Sequence, residues 1–141
     1  MEALAWQCLQ GQTGDVLACL DARMGEVYWG CFTADGKRGL MARGASAVSS
    51  AAAVAVPFAG PFQGIGRGFA AYPTLASLPG LVLPPGAAAA LPDARDMSRL
   101  GRIRLAAGEG RDPADLEPLY LRNKVALTEL ERRARRPAGA S

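Results

Sequence analysis

Histidine is absent from the 141 residues of the chain, and aromatic residues make up only 6% of them. Without histidine, the chain cannot form a Ser-His-Asp or Cys-His nucleophile, a histidine metal site or a histidine pH switch. The three cysteines are an odd number without paired metal-ligand spacing, which predicts reduced thiols and a cytoplasmic location. No apolar run approaches the roughly 18 residues of a membrane helix, so no membrane association is expected.

The charge balance is weak, with 16 basic and 13 acidic residues and a net charge of +3. This excess does not by itself indicate a nucleic-acid partner. The length suits a single domain, which we assign to residues 1–131. Residues 132–141 form a tail that begins with basic residues and ends with proline and small residues. Its composition predicts disorder.

Apolar periodicity predicts a chain that mixes strands and helices. Residues 15–21 and 26–33 alternate and are joined by a short turn containing glycine, which predicts an antiparallel hairpin. In that hairpin Cys19 and Cys31 are not cross-strand neighbours, so no disulfide is expected. Other patterns predict helices over 2–10 and 93–107, and strands at 40–43, within 60–68 and at 81–83. Residues 45–56 could form a small helix or an apolar strand, and the helix is favoured.

A cluster of charged and aromatic residues lies at the hairpin turn: Asp21, Arg23, Glu26 and Tyr28. Asp21 and Glu26 could act as an acid/base pair or hold a hard cation such as Mg²⁺ through their oxygens. Alternatively, Arg23 bridges the two carboxylates and fixes the turn. Charged turns are common, so the structural interpretation is favoured.

Two further clusters have a functional and a structural interpretation. The run Gly64-Ile65-Gly66-Arg67-Gly68 could offer backbone N–H groups to a phosphate, but it lacks the Gly-Lys-Ser/Thr of a P-loop, and a tight turn is favoured. The arginines of 95–104 and of the tail could contact RNA phosphates. That strip contains no aromatic residue for base stacking, so a solvated helix face is favoured.

Two segments carry a more specific signal. DARMGEVYWG at 21–30 and EPLYLRNKVA at 117–126 together resemble the TsaB (YeaZ) family, the non-catalytic subunits of bacterial tRNA threonylcarbamoyladenosine synthesis. Between them, a Gly-x-Gly at 64–66 and Tyr72-Pro73 fall in the order expected for that family. The resemblance extends over roughly residues 2–126.

The resemblance implies an α/β fold, namely the C-terminal lobe of an actin-like ATPase (ASKHA, ribonuclease-H-like) fold, with a mixed sheet and flanking helices. It implies a scaffold that activates TsaD, with TsaE docking on the pair and tRNA reached indirectly through the complex. It implies no catalytic, cofactor or metal residues. Asp21, Arg23, Glu26 and Tyr28 would face the cleft between lobes or a partner, together with Tyr120 and Arg122.

The chain also departs from the family pattern, because the first lobe with its opening Ile-Asp-Thr-type strand is missing. We therefore expect a second-lobe fragment, with impaired function and an exposed apolar face that self-association into a homodimer would cover. Two other functions stay open at this point. One is a glycoprotease-like hydrolase that uses Asp21 and Glu26, and the other is a small RNA-binding module that uses the arginine-rich helix and tail.

Overall fold

The computed structural model describes residues 1–10, 12–34 and 39–122, and its elements follow the predicted order closely. The predicted tail and the residues from 123 onward lie outside this described part. Short 3-10 turns occur at Ala51–Ala53, Pro73–Ser77, Ala87–Ala89 and Pro113–Asp115. The helices and strands are α1 (Glu2–Leu9), β1 (Gly14–Arg23), β2 (Glu26–Ala34), β3 (Leu40–Ala42), β4 (Ala47–Ser50), β5 (Phe62–Ile65), α2 (Gly68–Ala71), β6 (Leu81–Val82) and α3 (Ala94–Ala106).

One mixed sheet holds the described part of the chain together. Its order is β3-β2-β1-β5-β6, and β4 pairs with the other end of β2. The pairs that involve β2 are antiparallel, whereas β5 runs parallel to both β1 and β6. In the hairpin Cys19 lies opposite Trp29 and Cys31 opposite Leu17, so the predicted separation of the two thiols is confirmed. The mixed sheet and its flanking helices confirm the predicted α/β class.

β1 is the central strand, and both of its faces are buried. Val16 and Ala18 point into a core that α1 covers with Leu4 and Leu9. The side chains at 17 and 19 alternate to the opposite face, where they pack with residues of β5 and α2 in a second core. That second core consists of Leu17, Cys19, Val27, Cys31, Val54, Phe62, Phe69 and Leu75.

The helix predicted over 45–56 is wrong. Ala47–Ser50 instead forms β4, which pairs antiparallel with β2, and only Ala51–Ala53 turns as a 3-10 helix. The indole N–H of Trp29 donates to the hydroxyl of Ser49 at 3.0 Å, which fixes this segment along the edge of β2. The alanines of this segment favour a helix, but pairing with the open edge of β2 overrides that local preference.

The helix predicted over 93–107 is confirmed as α3, but its buried side is narrower than the apolar pattern indicates. Asp93 caps the helix, and its carboxylate accepts a hydrogen bond from the backbone N–H of Arg95. Leu100 is buried, whereas Met97 remains 61% exposed. Within the described residues, no helix has the length and hydropathy needed to cross a membrane.

The glycine-rich run after β5 is the tight turn that the sequence favours. Gly66 has φ of 112°, and its N–H donates to the carbonyl of Ala87 at 2.9 Å. The backbone passes so close to β1 that a Cβ on Gly66 would lie 2.2 Å from the carbonyl oxygen of Cys19. A Cβ on Gly68 would lie 2.6 Å from the Cys19 sulfur. These glycines are therefore explained by packing, without a phosphate.

Burial suppresses the ionisation of all three thiols and raises the pKa of half-buried Cys8 as well. It raises the pKa of Cys19 to about 12 and that of Cys31 to about 11. Because the thiolate is the reactive form, we expect the native chain at pH 8 to react with a thiol reagent first at Cys8, which is half-buried, and much more slowly at the buried Cys19 and Cys31. All three thiols should react rapidly in guanidinium chloride. Mass spectrometry of the alkylated peptides identifies the sites, and rapid labelling of native Cys19 would contradict the described packing.

The same protonation makes stability depend on pH. Both folded-state values are raised above the ordinary thiol pKa of 9.0. The thiols' stabilising contribution is therefore complete below pH 9 and is lost as the pH rises toward 11, because the unfolded chain releases these protons first. Urea denaturation at pH 8, 9 and 10 measures this decline.

Candidate functional site

The turn of the hairpin adopts an unusual backbone. Met24 and Gly25 have φ of 56° and 82°, as a two-residue type I′ turn requires. Arg23 also lies in the left-handed region, at φ 65°, where the strand register shifts between Asp21 and Arg23. A non-glycine residue in this region costs on the order of 1 kcal/mol. The surrounding hydrogen bonds must therefore hold the turn in place.

Asp21 supplies one of these restraints. Its Oδ1 accepts a hydrogen bond from the backbone N–H of Arg23 at 2.8 Å and another from the Tyr72 hydroxyl at 3.1 Å. The Arg23 backbone bond, followed by the Tyr72 bond, holds the pKa of Asp21 below its ordinary value. Partial desolvation and the Asp21 carboxylate raise the pKa of Tyr72. The aspartate is thus ionised at neutral pH and committed to local partners.

Arg122 restrains the other side of the turn. One of its terminal nitrogens donates to the carbonyl oxygen of Ala22 at 2.9 Å and to the Glu26 carboxylate at 2.5 Å. The guanidinium also lies over the Tyr28 ring, 5.9 Å from the ring centroid. Only 14% of the Arg122 side chain is exposed. A single arginine from the end of the described chain therefore binds both strands of the hairpin.

The structure brings together five of the six predicted site residues, but not with the predicted pairing. Arg23 pairs with Asp21 at 3.5 Å and does not bridge to Glu26, because Arg122 occupies the Glu26 carboxylate. The expectation that one arginine neutralises both acids is wrong. Within the described ranges, no group of three acidic or cysteine side chains is arranged to hold a metal ion.

Tyr120, the sixth predicted residue, takes no part in these hydrogen bonds and is 78% exposed. It lines a shallow cavity of about 370 Å³ with Leu119, Leu121, Tyr28 and Arg122. Leu116 and Leu119 are 84% and 79% exposed. We call Leu116, Leu119 and Tyr120 the apolar strip. Exposed apolar side chains that lie together in this way are a candidate contact surface.

Sequence analysis missed two participants in the site. Tyr72 lies 51 residues from Asp21, so no local spacing links the pair. The Ala22 carbonyl is a backbone group, which no side-chain pattern could indicate. The Tyr72-Pro73 dipeptide was visible as part of the family resemblance, but its contact with the hairpin was not.

The chain is similar in sequence and in fold to known proteins. No protein-family model matches the sequence. The tRNA threonylcarbamoyladenosine biosynthesis protein TsaB of Escherichia coli (strain K12) is 36% identical over 118 residues, which are 82% of this chain and 51% of that protein. The chain is related to TsaB. It spans about half the length of this relative.

Solved structures agree with the TsaB relationship. YeaZ from Pseudomonas aeruginosa is 34% identical and superposes with a TM-score of 0.71, covering 85% of this chain and 56% of YeaZ. The chain also resembles the crystal structure of an uncharacterised protein described as similar to peptidase YeaZ from P. aeruginosa. That structure is 34% identical and superposes with a TM-score of 0.72, covering 86% of this chain and 56% of the other. The predicted actin-like α/β fold is thereby confirmed for the TsaB-like chain.

The two segments that resemble TsaB are 96 residues apart where they touch, at Glu26 and Arg122. In the fold, residues 119–122 lie against the base of the hairpin, so the separate motifs form one structural unit. Its arginines and carboxylates neutralise each other in pairs. This TsaB-like unit is suited to holding a surface in a defined shape.

Proposed function

We propose that this chain acts in tRNA threonylcarbamoyladenosine biosynthesis as the C-terminal lobe of a TsaB-type subunit, formed by residues 1–131. Its role would be to support TsaD, with TsaE and tRNA joining the same complex, and not to carry out the chemistry. The identity of 36% to TsaB, over 82% of this chain, carries the proposal.

The hairpin unit supports a positioning role. Asp21 is engaged by Arg23 and Tyr72, and Glu26 by Arg122, so neither carboxylate is left poised for proton transfer or nucleophilic attack. The outer surface of the turn presents the Arg23 side chain, 87% exposed, and Met24, 77% exposed. A rigid turn with an exposed arginine and methionine has the character of a protein contact.

The apolar strip supports a second contact, with a complementary lobe. The relatives extend well beyond the region that they share with this chain, since it covers only 51% of E. coli TsaB and 56% of YeaZ. The apolar strip is continuous with a larger groove of about 560 Å³, which Met97, Leu100 and Leu121 help to line. Burying these side chains against a second lobe would remove their apolar surface from water, which favours the contact.

A co-purification experiment tests the proposal. The full chain is co-expressed with a tagged segment of E. coli TsaB that lies outside the shared region, and the pair is then offered to TsaD. We expect a stable pair that recruits TsaD and restores threonylcarbamoyladenosine to tRNA in cells depleted of TsaB. Leu119→Asp should weaken pairing at least about tenfold, because it would bury a charge in the contact.

Val82→Asp is the matched control, since Val82 is an exposed apolar residue at the far edge of the sheet, 54% accessible. Circular dichroism should show both variants folded. Equal pairing by the two variants would refute the apolar strip as the contact. Self-association of the chain without the TsaB segment would assign the strip to a homodimer. Pairing without any tRNA modification would refute the proposed role in the pathway.

A further inference from the structure

A groove between α1 and α3 shares no residue with the hairpin unit or the apolar strip. Two cavities, of about 470 and 550 Å³, meet there and share Trp6 and Arg99 in their walls. Gln7 and Gln10 line the first cavity, and Arg102 and Leu105 line the second. We call this surface the Trp6 groove. It combines an aromatic ring, amide groups and guanidinium groups.

Gln7 gives the groove an unsatisfied acceptor. Its side-chain oxygen is buried and has no hydrogen-bond donor among the described residues. A buried acceptor without a donor is unfavourable. Because the Gln7 side chain lines the first cavity, rotation of its carboxamide would turn this oxygen into the cavity, where a ligand N–H group could reach it. Trp6, one residue away on α1, lines the same cavity. The pair offers stacking and one directional hydrogen bond, which are the interactions that bind a nucleobase.

The charges of the groove are polarised along α3. Asp93 and Asp96 lie at its first end, where each is paired with an arginine at 3.1 and 3.3 Å. Arg102 lies in the second cavity, is exposed, and has no carboxylate partner within the described part of the chain. Arg99 is 66% exposed and keeps guanidinium donors free for a second acceptor. An anionic group is therefore favoured at the Arg102 end alone.

We propose that the Trp6 groove binds an unpaired nucleotide. Its base would stack on Trp6 and donate an N–H to the rotated Gln7 carboxamide, while its phosphate would contact Arg102 and Arg99. The arginine strip on α3 has no aromatic residue of its own in sequence, but the fold supplies one from α1. The ligand is either a free nucleotide or an unpaired position in an RNA strand. The inference does not depend on the proposed pairing with a second lobe.

Fluorescence anisotropy of a labelled 12-nucleotide single-stranded RNA, titrated with the full chain, tests the site. The same strand in a duplex is the comparison, and unlabelled AMP is the competitor. We expect the single strand to bind more tightly than the duplex. Trp6→Leu, which keeps an apolar side chain, should weaken binding about tenfold. Arg102→Gln should also weaken it and reduce the salt dependence by about one phosphate contact.

Arg43→Gln is the matched control, because Arg43 is an exposed arginine outside both cavities. Competition by AMP would identify the ligand as a free nucleotide, and its absence would assign the site to an RNA strand. Equal binding of duplex and single strand, or equal losses from Arg43→Gln and Arg102→Gln, would overturn the site in favour of unspecific phosphate contacts. Absence of RNA and AMP binding would overturn it also. Arg102→Gln lies on the surface and stays informative if Trp6→Leu fails to fold.

Discussion

Replacement of Gly66 by alanine is expected to abolish the native fold, with a loss of more than about 4 kcal/mol in the free energy of unfolding. The new Cβ would lie 2.2 Å from the Cys19 carbonyl oxygen and 3.3 Å from Leu4. The φ of 112° is in addition a conformation that alanine rarely adopts. β1 cannot move away, because it is hydrogen-bonded on both sides by β2 and β5. The free energy of unfolding of a typical domain is only about 5–15 kcal/mol in total.

Two other glycines separate the clash from the backbone effect. Gly86 has φ of 78° with open space around its Cβ position, so Gly86→Ala should cost only about 1–2 kcal/mol. Gly101 lies within α3 in open space, and Gly101→Ala should stabilise the chain by roughly 0.5–1 kcal/mol. Urea denaturation followed by circular dichroism ranks the three. A Gly66→Ala variant no less stable than Gly86→Ala would contradict the described approach of the two strands.

Replacement of Arg122 by alanine is expected to have the second largest effect, a loss of about 2–3 kcal/mol. The substitution removes the donor to the Ala22 carbonyl, the ion pair with Glu26 and the cation over Tyr28. Glu26 is 38% exposed, so water compensates part of the lost ion pair and keeps the effect below that of a fully buried one. Thermal or urea denaturation measures the loss.

Arg111→Ala is the control for removing an arginine, because Arg111 is exposed and should change stability by less than about 0.5 kcal/mol. A double-mutant cycle with Glu26→Gln then isolates the pair. We expect Arg122→Ala and Glu26→Gln to be non-additive by about 1 kcal/mol, since each removes the same interaction. Strict additivity would mean that the contact contributes nothing to folding.

The local elements could be predicted because their signals lie within a few residues. Alternation on either side of a glycine-containing turn fixed the hairpin, and Asp93 marked the start of α3. β4 could not be predicted, because Ala47 favours a helix whereas Val48 favours a strand, and the choice depends on the edge of β2. Which strand edge is free for pairing depends on the tertiary fold and cannot be predicted from neighbouring residues.

The site was predictable in its members but not in its pairings. Glu26 and Arg122 are 96 residues apart, and Asp21 and Tyr72 are 51 apart. Only the complete topology sets which arginine meets which carboxylate. The resemblance to TsaB singled out residues 21–30 and 117–126 as separate motifs. Their contact in the fold gives a physical reason why the two should occur together.

The sheet keeps two cores apart, with Val16 and Ala18 on one face of β1 and Leu17 and Cys19 on the other. A void opened on one face cannot be filled from the other, because a layer of hydrogen-bonded backbone lies between them. Substitutions on opposite faces should therefore combine without epistasis, whereas those on one face should not. Residues of one core can therefore be substituted while those of the other stay unchanged. The two faces of the sheet can accumulate substitutions independently.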